Sequence, residues 1–291
     1  MVRFKKLFAS TYIYFILFLM YLPILVLIAF SFTEATNVGV WTGFSLNLYV
    51  RLFTSPEIMI ALGNTLIIAF ISALIATLLG AAGAIGAFYS KKRMNKLVEG
   101  MTQIPIVNAE IVMALSLTVL FVFVGSVIYK GQSIFGFWTL LIGHVVLSVP
   151  FVYVSVRPKL IQLDPHLYEA ALDLGATPRV ALWKVIIPQI MPGIFSGFLL
   201  SLTLSLDDFI ITAFTRGTGL LNQEGTIETL STLVQAKIKK GPIPPEMRAL
   251  TFLIFLIVLG VVIGLSVYQN KQKSRSSSQK MRKRRLPKHE L

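Results

Sequence analysis

Long apolar stretches, separated by short charged connections, dominate the chain. Charged side chains bound six of them. They cover residues 7–33 (apolar body 11–32), the stretch between Glu57 and Lys91 centred on 62–88, the stretch from Glu110 to Lys130, the stretch from Lys130 to Arg157, residues 185–206 and residues 249–270. About 20 mostly apolar residues cross a hydrocarbon core of about 30 Å, so each stretch predicts a spanning segment. Lipid offers no partner to a free N–H or C=O, which predicts α-helices. The alternating pattern of a membrane barrel is absent. The expected fold class is an all-α integral membrane protein with six transmembrane helices. The first stretch has a basic start (Arg3, Lys5, Lys6) and no small-x-small cleavage site. Its 22-residue body exceeds the usual 7–15 residues of a signal peptide, so it reads as an uncleaved helix.

Composition agrees with this pattern. Hydrophobic residues make up 55% and charged residues 14% of the 291, with a mean hydropathy of +0.76. Soluble domains carry roughly 25% charged residues, so a disordered chain or an ordinary soluble enzyme is excluded. The formal net charge is +14, and its placement explains it. Of the 27 Lys and Arg residues, 20 fall in residues 1–10, 89–103, 157–185 and 269–291, and 7 in the opposite connections. The positive-inside rule then places both termini in the cytoplasm of a multi-pass protein of the plasma or inner membrane. The excess charge is topological and needs no nucleic-acid partner.

Residues 1–268 read as one transmembrane domain and 269–291 as a basic, disordered cytoplasmic tail. Lys280, Arg282, Lys283, Arg284 and Arg285 in that tail suit contact with anionic lipid. The terminal Lys-His-Glu-Leu would be unreadable as a retention signal on the cytoplasmic side. Cysteine is absent, which excludes disulfides and thiolate chemistry. The three histidines (His144, His166 and His289) form no metal-binding pattern, and His144 reads as a helix–helix contact. No G-x-x-x-x-G-K-[S/T] phosphate loop occurs, so ATP hydrolysis by P-loop chemistry is not expected of this chain. Neither a catalytic constellation nor a metal site is expected. Glycines recur at small-residue spacing: Gly80/Gly83/Gly86, Gly193/Gly197 and Gly260/Gly264. They serve either packing within the bundle or a seam with a second subunit.

The connection 157–185 is too long for a turn. Asp164-Pro165 starts a short helix, with Pro165 suited to its first turn. Leu167, Ala170, Ala171 and Leu174 give it an apolar stripe, and Gly175 ends it. A second short helix starts near Thr177-Pro178 and leads into the fifth span. The stripe needs either the protein's own bundle or a groove on a partner.

The stretch Glu169-Ala170-Ala171-Leu172-Asp173-Leu174-Gly175, followed after nine residues by Val185-Ile186-Ile187-Pro188, resembles the EAA loop of binding-protein-dependent ABC importer permeases. Val185 and Ile187 stand where that pattern has Ile and Leu. The segments at 110–116 and 201–209 are similar to those of spermidine/putrescine permeases, and the layout is similar to the second membrane subunit of that system. The resemblance implies a MetI-like bundle and an importer that moves polyamines by alternating access. It implies a second permease subunit, two ATP-binding subunits that hold ATP and Mg²⁺, and an extracytoplasmic substrate-binding protein. Glu169, Ala170, Ala171, Asp173, Gly175 and Pro188 would then carry coupling to the ATPase.

Three acids lie in or beside apolar spans: Glu110, Asp207 and Asp208. An ionised group at mid-membrane costs roughly 2.5–3.5 kcal/mol on insertion scales, so such residues usually face water or the bundle interior. On a continuous fifth helix, Ser201, Ser205, Asp208, Thr212 and Thr215 share one face, a candidate wall of the substrate pathway. Asp208 is the expected cargo contact, and Asp207, about 100° away, the expected structural hydrogen bond. In the bland alternative Glu110 only favours a helix dipole and the two aspartates sit near the outer interface. Other readings keep the importer but change the cargo, or make the chain a secondary carrier. A carrier's signature is inverted repeats and broken helices, and neither is evident along the sequence.

Overall fold

Small residues on three long helices decide the packing. In the computed structural model, the described residues are 2–35, 39–130, 134–164, 166–216, 227–240, 244–257 and 259–260. The chain divides into two compact units, Met1–Ser55 with Pro242–Leu291, and Pro56–Gly241.

The first unit holds α1 (Val2–Phe30), α2 (Asn47–Thr54) and the helical residues 246–257. Its described interior is aromatic. Phe32 stacks on Phe44 at 5.4 Å between centroids and meets Phe252 edge-on at 5.7 Å. Arg248 donates to the carbonyl of Ala35 at 2.7 Å. The apolar side chains of α1 beyond residue 10 are mostly exposed, as suits a helix whose solvent is lipid.

The second unit is built on α3 (Pro56–Phe88), α6 (Phe137–Ile161) and α9 (Ile187–Asp207). Close approach is possible because glycines stand at the contacts. A Cβ on Gly80 of α3 would lie 2.7 Å from Val152 Cβ of α6. A Cβ on Gly193 or Gly197 of α9 would meet Lys159 at 2.7 Å or Val152 at 3.1 Å. These glycines belong to internal packing. Gly83 and Gly86 face open space.

Shorter helices complete the unit. They are α4 (Lys92–Val107), α5 (Glu110–Ile128), α7 (His166–Asp173), α8 (Pro178–Ala181), α10 (Ile210–Thr215) and α11 (Leu230–Lys240). α5 packs on α10, α4 runs beside the later half of α6, and α11 lies on α3.

Among the described residues, five helices are long and apolar enough to cross a membrane: Thr11–Phe30, Pro56–Phe88, Glu110–Ile128, Phe137–Ile161 and Pro178–Asp207. Of the sixth predicted span, residues 249–257 and 259–260 are helical, and the remainder, like the 269–291 tail, lies outside the described residues.

The condition for a polar face on one continuous fifth helix is not met. The fifth helix does not continue to Thr215, because α9 ends at Asp207, where Asp208 turns extended at φ −60° and ψ 123°. The second break precedes α5, where Asn108 (ψ 146°) and Ala109 (ψ 132°) separate it from α4. An interrupted apolar helix is therefore present at 207–209, and the α4–α5 junction is a connection into a span; no glycine marks either. At the first, a side chain supplies the cause. The Asp208 carboxylate accepts from the backbone N–H groups of Ile211 (3.2 Å) and Thr212 (2.8 Å), so it caps α10 and stops α9.

Candidate functional site

The 157–185 connection folds into the two short helices expected, α7 and α8. Asp164 Oδ1 accepts from the His166 N–H at 3.0 Å, and Pro165 lies outside the described residues. The end of α7 is a paired cap. Gly175 N–H donates to Leu172 O (2.8 Å) and Ala176 N–H to Ala171 O (3.0 Å), with Gly175 left-handed at φ +84°. This is the glycine-ended closure that satisfies the last carbonyls of a helix. Thr177 Oγ1 accepts from Val180 N–H and opens α8.

Only part of the apolar stripe is covered. Ala171 is buried and Leu167 half-buried, whereas Ala170 is exposed and Leu174 is 89% exposed. Glu169, Asp173, Gly175 and Pro188 are also exposed. Tyr168 seats α7 on the bundle, its ring meeting that of Tyr89 at a 44° tilt with 5.2 Å between centroids. Burial, and secondarily the neighbouring Tyr168, raises the Tyr89 hydroxyl above its ordinary value, so it stays protonated at neutral pH.

Between α8 and α9 the chain makes one π turn, Leu182–Ile186, in which Ile187 N–H reaches back to Leu182 O. Pro188 has no N–H for the Lys184 carbonyl, and its ring crowds that oxygen. The widened turn relieves the crowding and joins the coupling segment to α9 at a point of irregular geometry.

A second assembly of polar groups lies around the break at Asp208. His144 of α6 is buried, with Nδ1 2.6 Å from Ser205 Oγ and Nε2 2.9 Å from Thr212 Oγ1. Thr212 Oγ1 donates to Asp208 Oδ2 at 2.9 Å. For a neutral ring, Nε2–H therefore donates to Thr212 and Nδ1 accepts from Ser205. Ser205 Oγ lies 3.0 Å from Ser72 Oγ on α3. Ser231 Oγ of α11 donates to the Asp208 carbonyl at 2.7 Å, taking up an oxygen that the end of α9 leaves free. His144 is seven residues into α6, so this cluster sits about 10 Å along a helix about 37 Å long. It lies inside the bundle.

The three acids occupy different settings. Asp208 is 5% exposed, and its carboxylate accepts the three bonds above. Asp207 is exposed and Glu110 partly so. The Glu110 carboxyl faces those of Asp208 and Asp207 closely enough for the charges to interact. Among the described residues, no Lys or Arg pairs with any of the three. Ser201, Ser205, Thr212 and Thr215 are buried, so the predicted polar stripe turns inward; among the described residues the Ser148 and Ser201 hydroxyls have no partner.

The Ser72–Ser205–His144–Thr212–Asp208 chain and the Ser231 contact leave no signal in the sequence. Both depend on helix register, which no local pattern carries. His144→Ala should lower the thermal midpoint in detergent. It leaves buried hydroxyls short of a partner at about 1–3 kcal/mol per group. A midpoint equal to that of the natural chain would show that the network adds nothing to stability.

Residues 76–275 match the model of the family described as binding-protein-dependent transport system inner membrane component. The chain is 35% identical over 244 residues to the spermidine/putrescine transport system permease protein PotC of Haemophilus influenzae, covering 84% of this chain and 89% of the relative. It is 35% identical over 250 residues to the putrescine transport system permease protein PotI of Escherichia coli K12, covering 86% and 85%. Its fold is similar to a chain of a bacterial ABC transporter involved in import of the acidic polysaccharide alginate, with a TM-score of 0.71, 19% identity and coverage of 93% and 96%. The family match spans most of the chain, and the chain belongs to the binding-protein-dependent transport system inner membrane components.

Proposed function

We propose that this chain is the membrane-spanning permease subunit of an ATP-driven importer of polyamines, of the spermidine or putrescine type. The single observation that carries the cargo is a group of three acids at two helix breaks, none paired with a Lys or Arg among the described residues: Glu110 and Asp207 accessible, Asp208 buried beside His144. A polyamine carries several ammonium groups, and carboxylates placed along its route offset their loss of water. The curated relatives named for spermidine and putrescine support the same reading.

The subunit works with a second permease, two ATP-binding subunits and an extracytoplasmic binding protein. The exposed face of α7, from Glu169 to Gly175, docks in the ATP-binding partner and receives its closure. ATP and Mg²⁺ belong to that partner, and this chain moves its cargo chemically unchanged. Both termini face the cytoplasm. In this reading Glu110 and Asp207 face the cargo, while Asp208 holds the break in shape.

The test is uptake of labelled spermidine and putrescine into proteoliposomes that hold the assembled complex and ATP, with and without the external binding protein. Uptake that needs both ATP and the binding protein is expected. An assembled complex that hydrolyses ATP but takes up neither compound would remove the polyamine assignment.

A further inference from the structure

α4 is held to the bundle in an unusual way. None of its 16 residues is buried, and Val98 is its one residue packed against the main apolar cluster. Apolar burial therefore contributes little to its position. A cavity of about 350 Å³ lies between α4 and α6, lined in part by Thr102, Gln103, Val154 and Gln162, so the two helices do not close on each other there. What joins them is Arg157. Its Nη1 donates to Asn95 Oδ1 at 2.8 Å and to the Tyr153 hydroxyl at 2.7 Å, and its Nη2 donates to Glu99 Oε2 at 2.8 Å. The guanidinium also lies 5.8 Å from the Tyr153 ring centroid. Arg157 is only 19% exposed, so it is no simple headgroup anchor. A charge-assisted bond of this geometry is about twice as strong as a neutral one, and a guanidinium with three acceptors is fixed in direction.

The position of this clamp matters more than its strength. Arg157 stands four residues before the end of α6, where the chain leaves the bundle for the coupling segment. α4, on the other side of the clamp, ends at the break that precedes Glu110. We infer that Arg157 is a positioning residue that makes α4 and the end of α6 move as one body, so that displacement of the coupling segment reaches Glu110 through α4. This inference rests on the importer reading above. It adds a second route from the coupling segment, beside the direct one through the π turn into α9.

The chain has no cysteine, so introduced label sites are its only thiols. Lys96→Cys on α4 and Ile161→Cys on α6, both exposed, carry spin labels in the assembled complex in nanodiscs. With Arg157 in place, the label distance should be the same in the nucleotide-free and ATP-bound complex. In Arg157→Gln it should shift or broaden on ATP binding, and uptake per ATP hydrolysed should fall about fivefold or more. Exchanging the charges, Arg157→Glu with Glu99→Arg, should restore at least half of that ratio. A distance in Arg157→Gln that stays fixed through the cycle would overturn the inference, and so would a charge exchange no better than the single change. Should Arg157→Gln fail to reach the membrane, Asn95→Ala combined with Glu99→Ala removes both α4 acceptors and makes the same test. Label distances and ATP hydrolysis are read without cargo, so a different transported solute would leave this arm standing.

Discussion

Gly175→Arg should reduce uptake at least tenfold while the subunit still inserts and assembles. Two effects add. Gly175 sits at φ +84°, and an L-residue there carries about 1–2 kcal/mol of left-handed strain. That strain falls on the cap formed by Gly175 and Ala176 N–H, so the end of α7 loosens. The arginine side chain also projects from the exposed face that carries Glu169, Asp173 and Leu174. Among the described residues, none beyond its chain neighbours lies within 4 Å of a Cβ at this position, so the damage concentrates on the partner contact and spares the subunit's own packing. Gly175→Ala separates the two effects, because it keeps the strain and omits the bulk. The measurement is uptake and ATP hydrolysis in the same vesicles. Normal uptake in Gly175→Arg at natural membrane levels would remove α7 from the coupling role.

Removing the accessible charges should have a comparable effect on a different quantity. Asp207→Asn combined with Glu110→Gln is expected to lower polyamine uptake tenfold or more at subsaturating cargo, with the folded complex intact. Two unit charges 4 Å apart interact by about 4 kcal/mol at an effective dielectric constant near 20, and a tenfold loss needs only 1.4 kcal/mol of it. Asp208→Asn is expected to differ in kind. The carboxylate caps α10, and its neighbours Thr212 and His144 are buried, so the loss should appear first as a lower thermal midpoint. If Asp208→Asn abolishes uptake with an unchanged midpoint while the double variant transports normally, the roles are reversed, and Asp208 meets the cargo.

Much of this was legible along the chain, for identifiable reasons. A spanning helix must be apolar over its whole length, so its presence is a local property. The caps of α7 and α8 are local too, since Gly175 and Thr177 act within three residues of themselves. The breaks were not legible. Asp208 sits in an apolar run at a spacing that fits a continuous polar stripe, and its capping bonds use the same residue type that a pathway acid would. Asn108 and Ala109 carry no glycine, and Pro105 lies inside α4 without ending it. The Arg157 clamp joins residues about sixty apart in sequence, where spacing gives no signal.

The breaks also bear on how the chain enters the bilayer during synthesis. A helix end in lipid leaves backbone groups without partners, and each such group is costly there. The capping carboxylate of Asp208 is at hand as soon as α10 exists, and His144 has already been made. The donor to the Asp208 carbonyl, Ser231, is synthesised 23 residues later and belongs to α11, across a further connection. The break between α9 and α10 is therefore capped locally from the start. Its free carbonyl finds a donor only when α11 packs onto α3. The acidic centre is thus finished late, when the neighbouring helices that shield it are already in place.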